Sequence, residues 1–247
     1  SAKLLAHLKK LYQTLQKSKA SCALPEMKKT LSILTHQKML QNKLKEVRVM
    51  VACILCEVFR HCLPTHPFSS EEVISIFQLF IQELKELENT KDPIFYKRVA
   101  MLQSLSQNST CVTLIDALVQ VKDNKPSDTR MQMDTDHDNN NDEDEDDMLL
   151  DLFTTSLNTV NSQTDKRIFE LLGDILVTCI FEMEDRGVAE NLLEVLLKPL
   201  IPELRGENSA IDRDMAGEIL KTRLPPPSYK LVRELILFCG RNFVNSI

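Results

Sequence analysis

Cys53 and Cys56 form a C-x-x-C pair, with His61, Cys62 and His66 close behind. These residue types could hold a zinc ion or run thiol–disulfide exchange, but zinc needs ligands converging tetrahedrally from a knuckle or loop. Both cysteines instead fall inside the run EVRVMVACILCEVFRHCL (46–63), where thiols one helical turn apart pack as small hydrophobes. The chain has no second C-x-x-C, and no strand–helix–strand pattern surrounds this one, as a redox motif requires. It also lacks G-x-S-x-G, a Walker loop, H-E-x-x-H and G-x-G-x-x-G. The carboxylates read as solvated helix-surface charges, so no group of residues meets the geometric requirements of an active site. The expectation is a protein that is not an enzyme and carries no metal, no cofactor and no small-molecule substrate.

The elements around these residues read as helices. Glycine occurs only 5 times in 247 residues and Trp not at all, which disfavours phosphate loops and tight hairpins. Leu4, Leu8, Leu11 and Leu15 form one apolar stripe, and Met27, Leu31 and Leu34 a second after Pro25. The run 46–63 is apolar nearly all round, which predicts burial on more than one face, and Pro64 ends it because proline has no amide hydrogen to donate. Ser69 and Glu72 have capping-box spacing before the stripe Val73, Ile76, Phe77, Phe80, Ile81, Leu84 and Leu87. Asp92 and Pro93 mark another start, with proline at the first helical position, followed by Phe95, Val99, Leu102 and Leu105. A short helix from Cys111 to Val121 closes the first half. Further helices are expected at Met148–Thr159, Asp165–Glu182, Val188–Leu197, Ser209–Thr222 and Ser228–Val244.

Between them the hydrophobic signal vanishes. From Asp123 to Asp147 there are eleven acids against Lys125 and Arg130, a net of −9. Like charges repel there, and no burial offsets the chain entropy, so 124–147 reads as a disordered acidic loop. The organisation expected is helical repeats over 1–123, the loop, and continuing repeats over 148–247. The fold class is all-α, an α-solenoid of antiparallel helix pairs; periodicity alone leaves a compact helical bundle open. Seven scattered cysteines, an odd number, fit a reducing intracellular compartment better than a disulfide framework. The longest apolar run, Val49–Cys56, is far short of the ~20 residues of a membrane helix. No signal-peptide pattern opens the chain, and Ser1 reads as the start of a fragment.

The stretch 46–107 resembles the N-terminal repeats of the Precocious Dissociation of Sisters family, the HEAT-repeat partners of cohesin. The family's D-V-R-L-L-V-A is matched by Glu46-Val47-Arg48 through Val51-Ala52, and its I-F/M-R turn by Val58-Phe59-Arg60. Leu63-Pro64-Thr65-His66-Pro67-Phe68 stands at the family's A-P-E-A-P-Y, Ser75-Ile76-Phe77 at K-D-I-F, and Leu87 through Phe95 at L-x-D-T-K-S-P-x-F. Leu200-Ile201-Pro202 resembles the end of the region. The resemblance implies a nuclear, chromatin-associated protein that docks on the cohesin complex and regulates sister-chromatid cohesion. It implies that this region receives short linear motifs from the release factor Wapl, in competition with sororin-like and acetyltransferase motifs. The expected peptide-binding residues are Leu63, Pro64, Thr65, His66, Pro67 and Phe68; Pro64 and Pro67 match the family, while Leu63 and His66 replace its two alanines. The kleisin-binding spine and the inositol-phosphate site are expected further along, outside this chain. Physically, two prolines in so short a turn rigidify it, so a peptide docks without first ordering the loop; the plainer alternative is a helix stop and a shaped loop.

Residues 1–48 carry eleven Lys or Arg against two acids, a net of +9. Lys9, Lys10, Lys17, Lys19, Lys28 and Lys29, together with Lys3, Lys38, Lys43, Lys45 and Arg48, suit weak non-specific contact with DNA phosphates. The plainer reading, slightly preferred, is a solvated lysine face on two amphipathic helices. With a single arginine and no interleaved aromatics, base readout is not expected. The rival readings of the whole chain are therefore a sequence-independent DNA-binding scaffold and a purely structural solenoid segment.

Overall fold

In the computed structural model, residues 2–18, 24–123, 143–160 and 164–184 are described. Among them lie nine α-helices and one 3-10 turn, with no strand. They are α1 (Ala2–Lys17), α2 (Leu24–Leu34), α3 (Gln37–Leu40), α4 (Lys45–Cys62), α5 (Ser70–Lys85), α6 (Phe95–Gln107), α7 (Cys111–Asp123), α8 (Glu143–Thr159) and α9 (Lys166–Glu184). The turn, Glu86–Glu88, follows α5 directly. The helices expected beyond Val188 lie outside the described residues.

The packing distinguishes a solenoid from a closed bundle. Helices α4 and α5 form an antiparallel pair, and α6 and α7 stack on it, α6 on α4 and α7 on α5. Helix α9 continues the row on α6 and α7, α1 covers the other side of α4, and α8 lies on α5. Pair stacked on pair extends one apolar core from Leu8 to Met183. A single pair would leave its flanks exposed, so each repeat depends on its neighbours.

Helix α4 is the centre of this arrangement. All residues from Val47 to Phe59 are buried, with Val51, Ala52, Ile54, Leu55, Val58 and Phe59 fully so. Each large apolar side chain removed from water stabilises the fold by about 1.5–3 kcal/mol before entropy is charged. The all-round apolar run is thus explained: α1, α5 and α6 surround it.

Two helix starts differ from the sequence reading. Helix α6 begins at Phe95 rather than Pro93, because Asp92 builds the preceding turn. Its Oδ1 accepts from the Ile94 amide at 3.1 Å and its backbone carbonyl from the Phe95 amide at 2.9 Å. Helix α8 begins at Glu143, inside the stretch expected to be a disordered loop, so residues 143–147 are helical. An apolar stripe follows at once, with Met148, Leu149, Leu152 and Phe153 buried. The remainder of that stretch lies outside the described residues.

Candidate peptide-docking corner

The corner between α4 and α5 is built on aromatic rings. The Phe59 ring, at the end of α4, packs on Phe68 with centroids 5.2 Å apart and meets His66 edge-on at 5.8 Å. His66 stacks on Phe68 at 6.1 Å. Aromatic pairs at such separations favour tilted or edge arrangements and add about 0.5–1.5 kcal/mol beyond their burial. The Leu63 amide donates to the Phe59 carbonyl at 2.9 Å, closing α4, and the Leu63–Pro64 peptide is cis.

A hydrogen-bonded frame holds the far side. The Ser69 hydroxyl accepts from the Glu72 amide at 3.3 Å, and Glu72 Oε2 accepts from the Ser69 amide at 3.0 Å, completing the capping box. Glu72 Oε1 accepts from Thr35 at 2.8 Å, tying in α2. Ser70 Oγ donates to Gln120 Oε1 at 2.8 Å, tying in α7. His61 Nε2 lies 2.9 Å from the Leu15 carbonyl, which brings the end of α1 to the same end of the molecule.

The six expected docking residues divide by position. Pro64, Thr65 and Pro67 are exposed, while Leu63 and His66 are partly buried. Phe68 is only 8% exposed, its ring packed on Phe59 beneath the corner. His66 Nδ1 is buried without a hydrogen-bond partner. Burial pushes the His66 imidazole below its ordinary value, outweighing the opposing pull of the Phe68 backbone and the Asp116 charge.

The other residues singled out by type are placed elsewhere. Cys53 and Cys56 are buried in mid-α4, and burial raises both thiols, Cys53 to about 12. Cys53 Sγ donates to the Lys97 carbonyl at 3.5 Å. Among the described residues no group of three His, Cys, Asp or Glu is placed to hold a metal. Nor is any helix there long and apolar enough to cross a membrane.

Lys9, Lys10 and Lys17 on α1, and Lys28 and Lys29 on α2, are exposed; Lys19 lies outside the described residues. Lys45 is held by Glu86 at 2.6 Å. Arg48 does not belong to the basic face. It is 8% exposed, donates from Nε to Glu83 Oε1 at 2.9 Å and from Nη1 to the Asn42 carbonyl at 2.8 Å. Arg98, fully buried, donates from Nε to Glu83 Oε2 at 2.9 Å and from Nη1 to Asp92 Oδ2 at 2.8 Å. One carboxylate thus receives two arginines and joins α4, α5 and α6 through the core. The sequence signal for this network was weak but present: Glu83 and Arg98 are charged residues among core positions of apolar stripes.

This helix-pair stack is matched by a family model described as "Sister chromatid cohesion protein PDS5 protein", over residues 2–121 and 142–241. The chain belongs to the PDS5 family. The gap between the two matched stretches falls on the acidic run. The human PDS5 homolog A is 27% identical over 212 residues, covering 84% of this chain and 13% of the relative. The Arabidopsis thaliana PDS5 homolog A is 25% identical over 217 residues, covering 88% of this chain and 12% of the relative. The chain therefore spans about an eighth of the length of these PDS5 relatives. A solved structure described as "Structure of the Pds5-Scc1 complex and implications for cohesin function" superposes with a TM-score of 0.61 at 20% identity. It covers 90% of this chain and 30% of the solved one, and it shares the fold.

Proposed function

We propose that this segment is a docking module of a nuclear, chromatin-associated cohesin regulator, and that short linear motifs bind at the corner between α4 and α5. Membership of the PDS5 family supports the cohesin connection, as does the Pds5–Scc1 complex whose fold it shares. The observation that carries the docking site is the rigid corner: Pro64, Thr65 and Pro67 project from a turn locked by Phe59, Phe68, the capping box and the Ser70–Gln120 bond. Preorganisation of this kind lowers the entropy lost when a flexible peptide binds. The ligands expected are a Wapl-type motif and its sororin-like or acetyltransferase competitors.

The test is titration of the chain with a labelled Wapl-type peptide, comparing the wild type with the Pro64→Ala, Pro67→Ala double variant. Binding by the wild type, lost in a variant whose circular dichroism and melting are unchanged, supports the reading. Equal affinity of the two proteins removes the corner from the interface.

A second reading, weak contact with DNA, rests on the exposed Lys9, Lys10, Lys17, Lys28 and Lys29. Phosphate contacts release counterions, so affinity would fall steeply with salt. A flat salt response, or no binding at low ionic strength, ends that reading. If the acidic run competes with phosphates for these lysines, deleting residues 124–142 tightens DNA binding; unchanged affinity excludes such competition.

A further inference from the structure

We infer that a trough between α3 and α5 is a second docking site, taking an extended acidic segment of a partner protein. Its floor is Leu40 and Leu79, both buried; one wall is Gln37 on α3 with Gln41 just past the helix end, and the other is Gln78 and Gln82 on α5. Thr35 and Ser75 line it as well, and its volume is about 180 Å³. Gln78 and Gln82 are four residues apart within α5, so their side chains lie on the same face of that helix.

The chemistry of the walls points to a peptide main chain. All four glutamines are exposed, and their side-chain amides make no hydrogen bond to the described residues. A primary amide offers both a donor and an acceptor, which is what each residue of an extended backbone requires. From Ser75 to Gln82, α5 rises roughly 10 Å at 1.5 Å per residue, the length of about three extended residues. The leucine floor suits one apolar side chain of such a segment.

Charge sets the second requirement. The trough shares Gln37 and Gln41 with a shallow, open recess of about 540 Å³, lined also by Lys38, Asn42 and Lys43. Lys38 and Lys43 are exposed and pair with no carboxylate among the described residues. No carboxylate lines the trough or the recess, and of the acids near them Glu72 is engaged by Ser69 and Thr35 and Glu86 by Lys45. The recess thus sets two lysines and no carboxylate beside an amide-walled trough. An aspartate or glutamate next but one to the apolar residue, on the same side of an extended segment, fits it, and a lysine in that place is repelled.

The experiment uses the full chain and a pool of short capped peptides, each with a photoreactive leucine and an aspartate next but one to it, the other positions varied. After irradiation the crosslinked residues are mapped by mass spectrometry. The expected result is label on α3 and α5 around Leu40 and Leu79. Its yield should fall about tenfold in the Gln78→Ala, Gln82→Ala variant, the effect of losing two ordinary hydrogen bonds. Substitution of these exposed glutamines leaves the fold intact, and the Pro64→Ala, Pro67→Ala variant should label as the wild type does, which separates this site from the corner. Label confined to other surfaces overturns the inference, as does equal yield from the glutamine variant. A lysine-for-aspartate pool that labels equally well overturns it too. Label that appears only after residues 124–142 are deleted would assign the trough to the chain's own acidic run and overturn the partner reading.

Discussion

Glu83 is the residue on which the charged network in the core depends, and Glu83→Gln is the sharpest test of that statement. The carboxylate is fully buried and accepts from Arg48 and from Arg98, each at 2.9 Å. Glutamine keeps the shape but has one acceptor oxygen, and its amide hydrogens would face a guanidinium that can only donate. One arginine keeps a hydrogen bond to a neutral acceptor; the other is left charged against a donor in the core. Arg98 still has Asp92 at 2.8 Å, and Arg48 still has the Asn42 carbonyl, so compensation is partial. Breaking a buried pair by removing one partner costs about 3–5 kcal/mol, because the remaining charge stays desolvated. For a chain of this size that corresponds to a fall in melting temperature of roughly 6–20 °C. Urea unfolding followed by circular dichroism measures it, with an unchanged slope showing that the unfolding unit is the same. The double variant Glu83→Gln, Arg48→Met should recover part of the loss, since the uncompensated charge leaves with it. A loss below about 1 kcal/mol, the range of exposed pairs, would refute the reasoning and mean that water reaches the network.

Two pH-dependent outcomes follow from the same structure. The hydrogen bond from Arg98, reinforced by the Ile94 amide, holds the Asp92 carboxyl below its ordinary value. Its contribution to stability is complete above the unfolded value, about 3.9. It is lost as pH falls below that toward the folded value, so the gap in urea midpoint between wild type and Asp92→Asn should close on acidification; a constant gap counts against the pairing. His66 behaves in the opposite chemical sense with the same direction: its neutral form is favoured in the folded chain, mainly by burial. Stability should therefore drop as pH falls through the unfolded value, about 6.5, and level off below the folded one. Proton NMR of the imidazole should show a midpoint below 6.5 for His66, and a midpoint at or above that value contradicts the buried, partnerless Nδ1.

Much of the fold was legible because its signals are local. Pro64 stops α4 through its own missing donor, Ser69 and Glu72 cap α5 within one turn, and the apolar stripes have the helical period that burial on one face requires. The all-round burial of α4 followed from the same pattern. The corner motif at 63–68 was visible in the identities of a few consecutive residues, which is why a family resemblance could find it.

Other features depended on residues far apart in the chain. Arg48 was grouped with the basic face because sequence gives charge but not direction; its partner Glu83 lies on α5, and packing of α4 against α5 turns the guanidinium inward. Phe68 stood in the docking motif, yet it faces Phe59 because the turn folds back on α4. Gln37, Gln41, Gln78 and Gln82 are ordinary surface residues until α3 settles against α5 and sets the two pairs across one trough. The stripes determined that helices would form and that each would bury a face. Which faces met was decided by the stacking of pairs, since helical period fixes a side chain's angle around its own axis and leaves the choice of neighbour to tertiary contact.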